Sequence, residues 1–102
     1  MERINLINKY MYWDVDVTDF RTPSNMYFGF GSEFNDTSIE VLRKDNDSIR
    51  WVIFQVDRSW YVMEQQKTKA QWIENWTKKM NNDKKEAKNY AELESIIYYN
   101  QS

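Results

Sequence analysis

A chain of 102 residues is of single-domain size and buries about two thirds of its unfolded surface when it folds. It has no cysteine and no histidine, which excludes disulfides, thiolate or imidazole metal sites and the commonest catalytic base. A net charge of -2 does not suit a binder of phosphate backbones, and no run of about 20 apolar residues offers a membrane span.

Five Trp, seven Tyr and five Phe supply a core of large rings, each burying roughly 150–250 Å² when interior. The charges are unevenly distributed. Residues 1–65 carry eleven Asp and Glu against seven Lys and Arg, whereas residues 66–102 carry five against seven. The first part is acidic and the second slightly basic, a distribution that suits a basic protein partner better than nucleic acid. Met1-Glu2-Arg3-Ile4-Asn5 lacks the apolar core of a signal peptide, so the expected location is the cytoplasm.

Along residues 2–12, Ile4, Ile7 and Met11 recur at helical spacing and predict a short N-terminal helix. Trp13-Asp14-Val15-Asp16-Val17 alternates apolar with acidic and predicts a half-buried strand, with Asp14 and Asp16 on one face. Thr22-Pro23-Ser24-Asn25 is a turn, and Met26 to Gly31 reads as a further strand. Ser38 to Lys44 reads as a strand with Ile39 and Val41 on one face, although Val41-Leu42 leaves a helix open, and Asp45-Asn46-Asp47-Ser48 has the composition of a turn.

Residues 49–65 are the richest β-forming run, interrupted only by Asp57-Arg58-Ser59, and predict a hairpin. Alternation sends Ile49, Trp51 and Ile53 to one side of the first strand, and Val52, Phe54 and Val56 to the other. A strand apolar on both faces belongs in the middle of a sheet. In the second strand Trp60 and Val62 share a face, with Tyr61 and Met63 opposite.

At Thr68 the period changes. Thr68-Lys69-Ala70-Gln71 fits a capping box, and Trp72, Trp76 and Met80 follow at four-residue spacing, predicting a helix. Met80 to Lys88 reads as a polar connector. Asn89-Tyr90-Ala91-Glu92 then opens a second helix, with Leu93, Ile96 and Ile97 facing inward. The expectation is one α+β domain, sheet-rich over 11–66 and helical over 68–102. Its antiparallel meander of about four or five strands is packed by the N-terminal helix and two C-terminal helices.

Few residues suggest chemistry. Asp14, Asp16 and Asp19 could present oxygens to a hard cation, but further ligands are missing and no calcium loop follows. Gly29-Phe30-Gly31-Ser32 lacks the Gly-Lys-Ser/Thr completion of a phosphate loop. The acid pairs Glu33 with Asp36 and Asp45 with Asp47 sit in expected turns, where carboxylates are solvated. No enzyme, cofactor or metal is expected. Trp60 and Tyr61 flank a turn and point to opposite faces, so one of them is expected near the surface, where an aromatic beside acids makes a protein-binding anchor.

One resemblance adds to this. A strand ending in Tyr61-Val62, an expected Trp-bearing helix with Gln71-Trp72-Ile73, a polar link and the closing run Asn89 to Tyr99 follow in order. That closing run has the form aromatic-x-x-Leu-x-x-Ile-x-x-aromatic. The layout resembles the small cytosolic immunity proteins of bacterial contact-dependent growth inhibition, and the match covers the last third of the chain. The resemblance implies a protein that binds and blocks one cognate toxin domain, often a nuclease, as a monomer in a 1:1 complex, touching neither nucleic acid nor membrane. The expected contacts are Asp14, Asp16, Asp45, Asp47, Asp57 and Trp60, because an acidic surface complements a basic active site. The rival expectations are a phage-encoded inhibitor mimicking nucleic acid with carboxylates, and a divalent-metal enzyme built on Asp14, Asp16 and Asp19.

Overall fold

The centre of the molecule is the strand with two apolar faces. The computed structural model describes residues 10–17, 20, 34–80 and 83–100. Its strands are β1 (Met11–Asp14), β2 (Phe34–Lys44), β3 (Ile49–Val56), β4 (Ser59–Thr68) and β5 (Gln71–Lys79), followed by one helix, α1 (Lys84–Asn100). The strands form a single antiparallel open sheet in the order β1-β2-β3-β4-β5. β3 is therefore the middle strand, as its alternation predicts.

Each face of β3 anchors its own core. Ile49, Trp51 and Ile53 join Met11, Leu42, Trp60 and Val62 beneath Ala87 and Ala91 of the helix. Val52, Phe54 and Val56 join Ile39, Val41 and Met63 on the opposite face, where Val17, Phe20 and Tyr61 pack against them. The rings of Phe54 and Tyr61 stack at 5.4 Å, and Phe20 lies 5.2 Å from Phe54.

The hairpins have different turn chemistries. Asp57 and Arg58 both take left-handed φ angles, 50° and 71°, the mark of a two-residue type I′ turn that follows the twist of the strands. Asn46, in the β2–β3 turn, has φ 62°, a conformation that asparagine tolerates.

The α+β architecture stands, but the helices are not where the periodicity puts them. Residues 2–9 of the expected N-terminal helix, and the expected strand at 26–31, lie outside the described residues; Met11 and Tyr12 are strand. The helix expected from Thr68 is the strand β5, so the sheet runs on to Lys79. Thr68 pairs with Gln71 across the turn Lys69-Ala70, with Lys69 at φ 56°, and no capping box forms. The pairing of β4 with β5 shifts register between Glu64 and Gln65. Glu64 faces Trp76 and Gln65 faces Glu74, which leaves Asn75 as the extra residue of a bulge. That bulge sends Trp72 and Trp76 to opposite faces, although they stand four residues apart.

The C-terminal helix begins earlier than expected. Asp83 caps it, its carboxylate accepting from the Lys85 N–H at 2.9 Å while its carbonyl accepts from the Ala87 N–H. Lys84 to Lys88, the latter part of the segment expected as a connector, are thus already helix. Ala87, Ala91 and Ser95 recur every four residues and are fully buried, so the helix lies close against β3 and β4. The Ser95 hydroxyl donates to the carbonyl of Glu92 at 2.7 Å, satisfying the one polar group on that stripe. Among the described residues, no helix is long and apolar enough to cross a membrane.

Candidate interaction surface

Two features fasten α1 to the sheet. Near its start, Lys84 and Lys88 both pair with Glu40 of β2, Lys88 at 2.9 Å. Burial pushes the Glu40 carboxyl up, but the hydrogen bonds and charges of the two lysines outweigh it and hold the group below its ordinary 4.5. The same ammonium groups lie over indole rings, Lys84 over Trp60 at 5.9 Å and Lys88 over Trp13 at 4.7 Å. The Trp13 indole N–H donates to Glu92 at 3.1 Å. At the other end, Tyr99 donates its phenol hydrogen to Asp47 in the β2–β3 turn. Burial and then this carboxylate push the Tyr99 pKa well up.

The β2–β3 turn is the acidic corner of the molecule. Asp45 accepts from the Tyr12 hydroxyl at 2.6 Å, and that bond raises the phenol pKa above its ordinary 10.0. Asp47 also caps its own turn, accepting from the Ser48 N–H at 2.8 Å. Asp14, paired in register with Val41, lies 3.9 Å from Arg43. Asp16 sits past the end of β1, its N–H bonded to the Asp14 carboxylate at 3.0 Å. Around these acids Tyr10 is 63%, Tyr12 39% and Val15 71% exposed. Tyr12 reaches the turn from one face of the sheet, and Tyr99 from the other.

The expected contact residues therefore divide. Asp45 and Asp47 stand together in the β2–β3 turn, whereas Asp14 is level with Val41 and Val52, midway along the sheet, and Asp16 lies beyond it, past the end of β1. Asp57, in the β3–β4 turn, stands at the opposite end of an eight-residue strand, roughly 25 Å away at strand rise. Trp60 is not a surface anchor. It is 7% exposed, in the core under the helix, because its face of β4 is the one α1 covers. Tyr61, on the other face, is the partly exposed one of the two, but it stacks on Phe54.

Among the described residues no three acidic side chains converge as metal ligands, and Asp19 lies outside them.

A second feature was not legible in the sequence. On the helix-facing side, Trp13, Leu42, Trp51, Glu64 and Trp76 are successive cross-strand partners. Glu64 thus sits between two indoles. One carboxylate oxygen accepts from the Trp51 N–H at 3.0 Å, and the other from Asn75 at 2.8 Å. From the helix, Tyr98 stands edge-on to Trp51 at 5.8 Å, and Tyr90 edge-on to Trp76 at 6.1 Å. Only the bulge at Asn75 brings Trp76 to this face, and composition does not reveal a bulge.

Compared with protein-family models, with curated proteins and with solved structures, the chain matches none of them.

Proposed function

We propose that the protein is an inhibitory binding partner of the immunity type, which captures a toxin domain, a nuclease in the favoured case, by covering its basic active-site surface. The observation that carries this is the edge of the sheet that runs from the β2–β3 turn along β1, where Asp45, Asp14 and Asp16 follow one another among the exposed side chains of Tyr10, Tyr12 and Val15. Acid and apolar surface interleaved in this way gives electrostatic steering together with area to bury. Arg43 and Lys44 are the basic residues of that stretch of β2; Arg43 is drawn to Asp14, and Lys44 lies over the Tyr99 ring at 5.3 Å. A partner carrying Lys and Arg fits this edge better than an acidic one.

Two substitutions test the face without touching the core. On this proposal a toxin domain is encoded beside this gene, and in cells expressing such a domain co-expression of the wild-type protein should restore growth. Asp16→Lys with Asp45→Lys should weaken that protection and slow association at low salt in surface-plasmon kinetics, with the thermal melt nearly unchanged. Asp57→Lys, at the far end, should leave association unaltered. No growth rescue by the wild type removes the proposal; rescue untouched by the double variant moves the interface elsewhere.

A further inference from the structure

We infer that the groove between α1 and the β4–β5 hairpin is a receptor for an arginine side chain presented by a protein partner. The inference deepens the proposal above, since it rests on a basic protein partner and names the group that partner inserts. Two parallel rows make the site. The sheet supplies Trp51, Glu64 and Trp76 as direct cross-strand neighbours on its helix-facing side. The helix supplies Tyr90, Glu94 and Tyr98, which recur every four residues and so share one side of α1. Tyr98 meets Trp51 and Tyr90 meets Trp76, so each row reads ring, carboxylate, ring, and the acids fall between the two aromatic pairs.

Each part of this arrangement suits a guanidinium group. The Glu64 carboxylate is fixed by one hydrogen bond to each oxygen, which leaves further lone pairs on both for an incoming donor. Glu94 interacts with the Tyr90 hydroxyl; burial first, and then this acid, raise the Tyr90 pKa. Among the described residues neither Glu64 nor Glu94 has an ion-pair partner. Indole and phenol rings attract a cation through their faces, and a planar guanidinium can stack on a ring while forking onto a carboxylate. Lys78 already holds its ammonium 5.1 Å from the Tyr90 ring, so the rim accepts a cation. A hard divalent cation does not fit, because it takes about six or more oxygen ligands and the walls here are rings.

The groove is also reachable. Tyr98 is 39% exposed, Ile73 on the same side of β5 is 48% exposed, and Asn75 is exposed. It continues into the acidic corner, because Tyr98 stands 5.0 Å from Tyr99, whose hydroxyl binds Asp47. An arginine seated here would be flanked by further basic residues docking on that corner.

The test uses the full chain, labelled with nitrogen-15, and two blocked pentapeptides, Ala-Ala-Arg-Ala-Ala and its citrulline counterpart. Citrulline keeps the shape and removes the charge. The arginine peptide should shift the indole N–H signals of Trp51 and Trp76 saturably, and the citrulline peptide should not. Glu64→Gln and Glu94→Gln should each weaken the arginine peptide by about fivefold or more, with the remaining amide signals in place. Equal binding of the two peptides, full affinity in both variants, or shifts confined to Asp45 and Asp57 would overturn the inference. No toxin enters this titration, so its failure removes the arginine site alone, while the growth experiment tests the inhibitory role separately.

Discussion

Glu40 shows how one carboxylate can set the position of a helix. It is 7% exposed, and two lysines one turn apart close on it from α1. Because its folded pKa is lowered, its contribution is full above about pH 4.5 and is lost as pH falls through the lowered value. Glu40→Gln should cost about 1–3 kcal/mol at pH 7, and in urea melts the difference from wild type should shrink below pH 4. A constant difference across that range would mean that the loss is packing and not charge. Trp60 behaves differently. The turn beside it suggests exposure, but whether the residue after a turn faces water depends on which face the helix covers. Trp60→Ala should therefore cost about 3–5 kcal/mol in denaturation, the penalty of a core ring. A stability change below about 1 kcal/mol would return it to the surface.

At the scale of elements, the β3–β4 hairpin was legible and the β4–β5 hairpin was not, for opposite reasons. Residues 49–56 alternate without interruption, and both apolar sets were buried as alternation requires. Asp57-Arg58 also fits a tight turn, although Arg58 takes a conformation that glycine adopts at no steric cost. Arg58→Gly would give the preferred Asp-Gly pair and should stabilise by about 0.5–1 kcal/mol, read as a higher urea midpoint. A lower midpoint would show that the Arg58 side chain contributes more than its backbone strain costs.

In the next hairpin, Lys69-Ala70 contains no glycine, proline or asparagine to mark a turn, and the bulge at Asn75 interrupts the two-residue period. What survives is Trp72, Trp76 and Met80 at spacing four, which imitates a helix. The true helix start did carry its signal: Asp83 followed three residues later by Glu86 has the spacing of a capping box. The lysines of the first turn made that stretch look like a linker. The acidic corner was legible from composition, whereas the ring-and-carboxylate groove depends on register, which no local pattern encodes.

Over the whole molecule, α1 is held at both ends, by Glu40 near its start and by Asp47 near its finish. The Tyr99 phenol, with its pKa raised, contributes fully below pH 10, and the contribution is lost as pH climbs past that value. Tyr99→Phe should therefore lower stability at neutral pH and narrow its gap from wild type above pH 10 in thermal melts. Hydrogen exchange in the last turn of α1 should quicken, while exchange in β3 stays slow. Equal acceleration in β3 and α1 would mean that the contact serves global stability and does not anchor one end.

The bulge at Asn75 has a consequence for what this protein does when crowded with its own copies. β5 is the last strand of an open sheet, nine residues long, with its outer backbone groups facing away from β4. A flat edge of that length is a template on which sheets of separate molecules join end to end. The extra residue twists the strand, and Lys78 and Lys79 put two like charges where a second edge would have to approach. One inserted asparagine thus aims an indole into the groove and at the same time breaks the flatness that a second copy's edge would need in order to pair with β5.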